Sequence, residues 1–186
     1  MIEGEDYKNI DFTVNKLPID TYDNCRFIGC NFASVHMSNI DFIECEFEDC
    51  NLSNTYVKSS AFKEVIFKNC KVIGVLFGEC NPFLLNLRFE GCQLNLSSFY
   101  DLNLKNTTFK NCLMHEVDFT ETVLVNASFD QCDLLNAHFE RTDLQKADFR
   151  TAENYSFDPE LNKLKGARFS LDGLPGLVQK YEIKVS

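Results

Sequence analysis

Large apolar residues recur at every fifth position along most of this chain. The series runs without interruption from Phe12 to Phe77, slips by two residues, and resumes from Leu84 to Phe149. A period of five matches neither the turn of an α-helix, about 3.6 residues, nor the two-residue alternation of a strand. It predicts a chain that turns a corner every five residues and buries the central side chain of each unit.

Four such units close a square coil of twenty residues, so the twenty-eight units of the two series predict about seven stacked coils. Successive coils would hydrogen-bond to each other at the strand spacing of about 4.8 Å. The expected fold is therefore all-β, a solenoid with four faces. One of these faces would stack seven phenylalanine rings, the phenylalanine ladder: Phe27, Phe47, Phe67, Phe89, Phe109, Phe129 and Phe149.

The cysteines fit a second inward position, two residues before each buried centre, where the side chain must be small. All nine occupy it: Cys25, Cys30, Cys45, Cys50, Cys70, Cys80, Cys92, Cys112 and Cys132. The Cys-x-x-Cys spacing of zinc and redox sites does not occur. Stacked neighbours would also hold their Cβ atoms farther apart than a disulfide allows. We interpret the thiols as reduced, polarizable core filler.

Individual units also carry a family resemblance. Ala147–Thr151 (Ala-Asp-Phe-Arg-Thr) and Cys30–Ser34 (Cys-Asn-Phe-Ala-Ser) resemble the A(D/N)LXX motif of the pentapeptide repeat family. This resemblance implies a right-handed quadrilateral β-helix. We expect residues 1–151 to form it, with a two-residue bulge near residues 79–83 where the period slips. Residues 152–186 would form a last partial coil and then a cap made of a short helix and a strand.

The C-terminal tail carries more apolar surface than is needed to cover the last coil, and a two-fold interface is the commonest way to bury such a patch. The tail resembles the end of the Qnr-type (quinolone-resistance) members of the family, in which a helix and a terminal strand join two protomers. The resemblance implies a homodimer held by this C-terminal segment. The candidate interface residues are Leu174, Leu177, Val178, Tyr181 and Ile183.

Net charge narrows the classes of partner. The chain carries 28 acidic and 18 basic residues, for a net charge of -10 and a pI near 4.7. This sign disfavours direct contact with nucleic acids or anionic membranes and favours basic protein partners. No apolar run approaches the roughly 18 residues that span a bilayer. The acidic N-terminus also lacks the pattern of a signal peptide, so we expect a cytoplasmic protein.

The residues that usually carry enzyme chemistry do not converge. His36, His115 and His138 fall on outward positions of different units, whereas the cysteines point inward. The sequence contains no glycine-rich phosphate loop, no nucleophile elbow and no His-Glu-x-x-His motif. We therefore expect a non-enzymatic protein without a metal or cofactor.

Acidic residues line up on the predicted face that contains Phe119. Glu79, Asp101 and Glu121, here called the acidic column, occupy one outward position on successive coils. A charged surface is expected of any exposed rod, because carboxylates about 5 Å apart repel only weakly in water. The alternative interpretation is a partner-binding site. Its further candidate residues are the flanking Asp118 and Glu140, and Pro82 and Phe83 in the bulge.

Two functions remain open. The resemblance to Qnr-type proteins implies a DNA-mimicking rod that docks on a type II topoisomerase, either gyrase or topoisomerase IV, and protects it from quinolones or a related toxin. Two rods of about 34 Å, end to end, would carry a charge near -20 over about 70 Å, roughly half the line density of duplex DNA. The alternative is a pentapeptide repeat scaffold that binds another, unidentified protein partner.

Overall fold

Each five-residue unit contributes at most one short strand, because the chain turns directly after the residues that flank the buried centre. The computed structural model describes residues 1–183. Its strands and helix are β1 (Ile2–Glu3), β2 (Asp6–Lys8), β3 (Thr21–Asp23), β4 (Arg26–Ile28), β5 (Asp41–Ile43), β6 (Glu46–Glu48), β7 (Ala61–Lys63), β8 (Val65–Lys68), β9 (Leu87–Glu90), β10 (Thr108–Lys110), β11 (Ser128–Asp130) and α1 (Pro175–Val178). Single 3-10 turns lie at Phe77–Glu79, Pro159–Leu161 and Gln179–Tyr181.

The strands pair in parallel, each with the strand one coil away. A seven-stranded sheet runs along one face in the order β2-β4-β6-β8-β9-β10-β11, and β1-β3-β5-β7 form a four-stranded sheet beside it. Phe27 pairs with Phe47, twenty residues later in the chain. Isolated parallel bridges such as Asn31 with Asn51 continue the same spacing on another face. The predicted parallel β-solenoid, closed by one short C-terminal helix, is confirmed.

Aromatic stacking along the coil axis fills the core. The seven residues of the phenylalanine ladder are all fully buried. Phe109 lies 5.2 Å from Phe129 with ring planes 7° apart, and it meets Phe119 of the next face edge-on at 75°. The nine cysteines are buried as well. The Cys50 thiol donates a hydrogen bond of 3.2 Å to the carbonyl of Phe27, so even the weak polar group of this side chain has a partner.

Most corners of the coils lie two positions after a buried centre, where the backbone is left-handed. Asparagine fills many of them, including Asn24 (φ 50°) and Asn39 (φ 61°), because its short polar side chain tolerates this conformation. Gly29 forms another corner, where a Cβ atom would lie only 2.5 Å from Oδ1 of Asn9. Asparagine corners explain how the chain turns so often with only 8 glycines.

The slip in the five-residue period produces an outward loop. Ala61 pairs with Asn81 at a spacing of twenty residues, whereas Val65 pairs with Leu87 at a spacing of 22. Two extra residues therefore enter between positions 81 and 87. Leu84, predicted to be the first buried centre of the resumed series, is 64% exposed, and that prediction was wrong. The extra residues leave the wall of the coil, so an apolar side chain among them has no core to enter.

The C-terminal tail packs against the last coils. Lys180 fastens it there, because its ammonium group lies 2.7 Å from a carboxylate oxygen of Asp158 and 2.6 Å from one of Glu160. Leu177 of α1 joins the main apolar core. The strand predicted to follow α1 would fall at the end of the chain, where residues 184–186 lie outside the described residues. Across residues 1–183, no helix has the length and apolar character needed to cross a bilayer.

Candidate partner-binding surface

The acidic column runs along one corner of the rod, beside the face that buries Phe119. Asp101 and Glu121 occupy left-handed corner positions, with φ of 55° and 59°. Glu79 ends a 3-10 turn one coil earlier. Glu79 and Asp101 are exposed and Glu121 is half-buried. The structure therefore places these three carboxylates on successive coils, as the spacing predicted.

Arg141 continues the column and was missed by the sequence analysis. It follows Glu121 by twenty residues and has the same left-handed backbone, with φ of 54°. Its guanidinium lies 2.8 Å from Glu121 and 2.7 Å from Glu140. The hydrogen bond to Glu121 is the main reason that the pKa of Arg141 is raised. Sorting the basic residues by the same spacing would have found this pair.

The ion pairs divide the carboxylates of this corner into two groups. Within residues 1–183, Glu121 and Glu140 share Arg141, whereas Glu79 and Asp101 take part in no ion pair. The negative charge available to a partner is therefore greatest at the Glu79 end. Towards Arg141 the same surface is a fixed, alternating arrangement of charges.

Neighbouring hydroxyl and amide groups hold the flanking carboxylates in place. Asp118 accepts hydrogen bonds from the hydroxyl of Ser98 at 3.1 Å and from the backbone N–H of Thr120 at 2.9 Å. The phenol of Tyr100 donates to Glu121 at 3.1 Å. This hydrogen bond is the main reason that the pKa of Tyr100 is raised. Asp118 and Glu121 are thus held by neighbouring groups, whereas the carboxylates of Glu79 and Asp101 accept no side-chain hydrogen bond within residues 1–183.

Pro82 and Phe83 lie on the face next to the acidic column, not on the same one. Their loop starts at Asn81, which is bridged to the last strand of the four-stranded sheet. Phe83 is 65% exposed, and the ammonium of Lys63 lies 5.9 Å from the centre of its ring. A partner would have to wrap around a corner of the rod to contact both the loop and the column.

The face of the phenylalanine ladder offers little free charge. Its outward residues pair across coils: Lys68 lies 2.6 Å from Glu46, and Lys110 lies 3.4 Å from Glu90. These exposed pairs contribute little to stability, but they neutralise most of that face. The corner with Glu79 and Asp101 is therefore the more negative surface of the two.

The candidate interface residues of the tail are divided between core and surface. Leu177 is buried and Val178 is half-buried. The exposed fractions of Leu174, Tyr181 and Ile183 are 44%, 53% and 58%. The structure therefore assigns Leu177 mainly to the packing of its own chain and leaves the other three side chains available for a second protomer.

The thiols of the described residues are all buried, and two of the three imidazoles contact side chains of the adjacent coil. Burial raises the pKa of Cys45 and of Cys80 to about 12, so both thiols stay protonated at neutral pH. His115 contacts Asp133 at 2.8 Å, and His36 stacks on Tyr56 with ring centres 4.2 Å apart. Across residues 1–183, no group of three or more His, Cys, Asp or Glu residues is arranged to hold a metal ion.

Solved structures share this architecture. A trypsin-treated form of QnrB1, a plasmid-mediated fluoroquinolone resistance protein, gives a TM-score of 0.58 at 19% identity, covering 100% of this chain and 91% of that one. A second trypsin-treated form of QnrB1 gives a TM-score of 0.52 at 17% identity, covering 100% of this chain and 97% of that one. HetL is a pentapeptide repeat protein involved in heterocyst differentiation regulation, from the cyanobacterium Nostoc. It gives a TM-score of 0.62 at 15% identity, covering 92% of this chain and 88% of that one. At these identities the likeness shows the fold alone.

Sequence comparison supplies the family. No curated protein matches the chain in sequence. The profile of the pentapeptide repeat region matches residues 21–82 and 84–156, which together make up well over half of the chain. The gap between the two matches falls in the loop where the period slips. The chain therefore belongs to the pentapeptide repeat family.

Proposed function

We propose that this protein is a non-enzymatic interaction protein that binds a type II topoisomerase, gyrase or topoisomerase IV, in the cytoplasm by substituting for a DNA segment. The observation that carries the proposal is the acidic column, with Glu79 and Asp101 unpaired in the described chain and Asp118 and Glu121 held by hydrogen bonds. A groove that binds DNA is lined with basic residues, and such a groove attracts fixed carboxylates on a rigid surface.

Dimensions and charge support the same proposal. The seven-stranded sheet, at about 4.8 Å per strand, corresponds to a repeat body roughly 34 Å long. The net charge of -10 is spread along it, so two protomers joined at one end would present about -20 over about 70 Å. Duplex DNA carries about one charge per 1.7 Å, so the rod would reach roughly half of that density. Electrostatic steering of a partner depends on the sign and the regular spacing of the charges on the rod, and it does not require a charge density equal to that of DNA.

Arg141 determines which part of the acidic surface is most negative, because it pairs with carboxylates at one end of the column. Its contacts hold Glu121 and Glu140 in fixed rotamers, so a partner loses little side-chain entropy when it binds them. The same guanidinium repels basic residues of the partner at that end. Because Glu79 and Asp101 lie away from this guanidinium and take part in no ion pair within residues 1–183, we place the strongest contact there, with Pro82 and Phe83 supplementing it from the adjacent face.

A homodimer through the tail would double the length of this surface. Leu174, Tyr181 and Ile183 expose apolar area at the end where the coils stop, and a second protomer is the simplest cover for it. By analogy with the quinolone-resistance proteins that share the fold, we propose that binding protects the topoisomerase from quinolones or a related toxin.

Charge reversal of the acidic column, with a matched control, tests the proposal. The test variant replaces Glu79, Asp101 and Glu121 by Lys. The control variant replaces Glu44, Asp49 and Glu64, which are exposed corner residues elsewhere on the rod. Both variants change the net charge by six, from -10 to -4.

Lysine is compatible with these corners, since Lys146 already occupies one, with φ of 59°. We expect the test variant to lose binding to purified gyrase or topoisomerase IV by at least tenfold, and the control to lose about threefold or less. Inhibition of supercoiling and protection from quinolone-induced cleavage should fall in the same order. Equal losses in the two variants would show that only net charge matters. Absence of binding by the wild type at micromolar concentration would favour a scaffold for another protein partner.

A further inference from the structure

The first coil of residues 1–183 lies at one end of the rod, and the C-terminal tail packs at the other end. β1 and β2 are the outermost strands of the two sheets, and each pairs with one strand only. The first coil therefore presents an unpaired strand edge. Such an edge is a ready template for a further strand.

The hydrogen bonds one coil later identify the groups that are left open. The backbone N–H of Arg26 donates to the carbonyl of Glu5, and that of Asn31 donates to the carbonyl of Ile10, both at 2.9 Å. Asp6 occupies the position equivalent to Arg26, but within residues 1–183 no coil precedes it. Its N–H is thus directed out of the end of the rod, where an added strand could accept from it.

The aromatic stack is open at the same end. The ring of Phe27 is covered on both sides, by Tyr7 at 4.9 Å and by Phe47 at 4.8 Å, and Phe27 is fully buried. Tyr7 has only Phe27 stacked against it along this axis and stays half-buried. Ile2 and Ile10 are half-buried in the same way. The edge therefore combines free backbone donors with an apolar surface.

Charge selects the occupant of this edge. Residues 1–12 contain four acidic side chains, Glu3, Glu5, Asp6 and Asp11. Their two positive groups are already paired: Lys8 lies 2.9 Å from Asp6, and the N-terminal ammonium lies 2.8 Å from Asp20. Two copies meeting head to head would bring these carboxylates together and repel. Stacking of one copy on the C-terminal end of another is obstructed by the tail that packs there. A basic partner from another chain satisfies both the charge and the edge.

We propose that the N-terminal edge is a docking site for a basic segment of another protein, which pairs with β1 and β2 through two short strands joined by a corner and covers the ring of Tyr7 with an apolar side chain. Main-chain hydrogen bonds would supply affinity, and the surrounding carboxylates would supply selectivity for Lys and Arg. This site lies at one end of the rod and does not depend on the proposed contact with a topoisomerase.

A labelled peptide of two Ala-Lys-Phe-Lys-Asn units is the probe, since two units are long enough to follow β1, the corner and β2. The counterpart with Glu in place of Lys is its control. Binding to the full-length chain is measured by fluorescence anisotropy at low and high salt. We expect the basic peptide to bind at least tenfold more tightly than the acidic one, with an affinity that falls as salt rises.

Two substitutions of Asp6 separate edge pairing from charge. Asp6→Asn removes the carboxylate but keeps the N–H, whereas Asp6→Pro removes both. We expect Asp6→Pro to weaken binding by a further factor of about ten or more. Equal affinities of the two variants, or equal binding of the two peptides, would overturn the proposal.

A measurement on the wild type keeps the test decisive if Asp6→Pro destabilises the first coil. The basic peptide should slow hydrogen exchange at the amides of Asp6 and Asp11 and leave the amides of the middle coils unchanged. Protection confined to the acidic column, or no protection at either amide, would refute docking at the N-terminal edge. Concentration-dependent self-association abolished by Asp6→Pro would instead identify a second copy as the occupant.

Discussion

Replacing Phe109 by Ala tests the assignment of inward and outward positions most severely. The Phe109 ring contacts four others, stacking on Phe89 and Phe129 at 5.5 and 5.2 Å and meeting Phe99 and Phe119 edge-on at 5.9 and 5.8 Å. Truncation of a buried Phe costs roughly 3–5 kcal/mol in total. Loss of ring pairs, each worth about 0.5–1.5 kcal/mol, is part of that cost and is largest where a ring has many aromatic neighbours. We expect a loss near the upper end of that range, about 4–5 kcal/mol.

Urea unfolding followed by circular dichroism measures this loss. The matched control is Lys110→Ala, at the adjacent outward position, where the exposed ion pair with Glu90 limits the cost to less than about 0.5–1 kcal/mol. Phe109→Leu should fall between the two, because it keeps part of the volume. Equal midpoints for the variants at 109 and 110 would refute the model of a core filled by stacked rings.

Three further predictions concern the thiols, the tail and the assembly. Burial raises the pKa of Cys80 to about 12 and excludes reagent from all nine cysteines, so native protein should react slowly with a bulky thiol reagent; rapid labelling of more than two would contradict the column of inward thiols. Hydrogen bonds from Lys180 lower the pKa of Asp158 and of Glu160 in the folded protein. The contact of Lys180 with these two carboxylates should therefore be complete above their unfolded pKa values, about 3.9 and 4.3. It should be lost as pH falls through the lower pKa values of the folded state. Protection factors of the tail amides, which are exchange rates corrected for the intrinsic effect of pH, should therefore fall at low pH in the wild type but hardly change with pH in Lys180→Gln. Identical pH profiles of the two proteins would disprove the contact between Lys180 and the carboxylates. Deleting residues 171–186 should abolish a dimer in sedimentation experiments, whereas a full-length chain that sediments as a monomer at micromolar concentration would exclude it.

The period of the apolar residues was enough to predict the coils, because burial in a solenoid repeats with strict spacing. Phe27 and Phe109 are both fully buried at the predicted positions, and the register shift of two residues is present between β8 and β9. The family profile and the structure agree on the repeat fold. In this fold the residues at the centres of the five-residue period are the same residues that pack in the core.

The same counting could not say which residues leave the coil at the slip. Leu84 continues the arithmetic series, yet the chain extrudes the residues around it and leaves the side chain exposed. The period fixes how many residues are extra, whereas the hydrogen bonds of Val65 with its partner fix where they are placed. That choice depends on packing between coils, which a list of apolar positions does not contain.

The sequence spacing predicted the alignment of the three carboxylates but not the ion pairs around them. The acidic column lies on one corner as expected, but Arg141 closes one end of it and pairs with Glu121 and Glu140. Leu177 was assigned to a dimer interface and is buried within its own chain. In both cases the missing information was which neighbour a side chain reaches, and this follows from three-dimensional placement rather than from composition.

Competition with DNA tests most directly whether this protein substitutes for a DNA segment. A labelled duplex of about 20 base pairs, close to the 70 Å that two protomers would span, is bound to purified gyrase or topoisomerase IV and titrated with the wild-type protein. We predict full displacement of the duplex, at a protein concentration that rises at least tenfold when Glu79, Asp101 and Glu121 are replaced by Lys. A ternary complex in which the duplex and the protein are bound together, at any salt concentration, would contradict substitution for DNA.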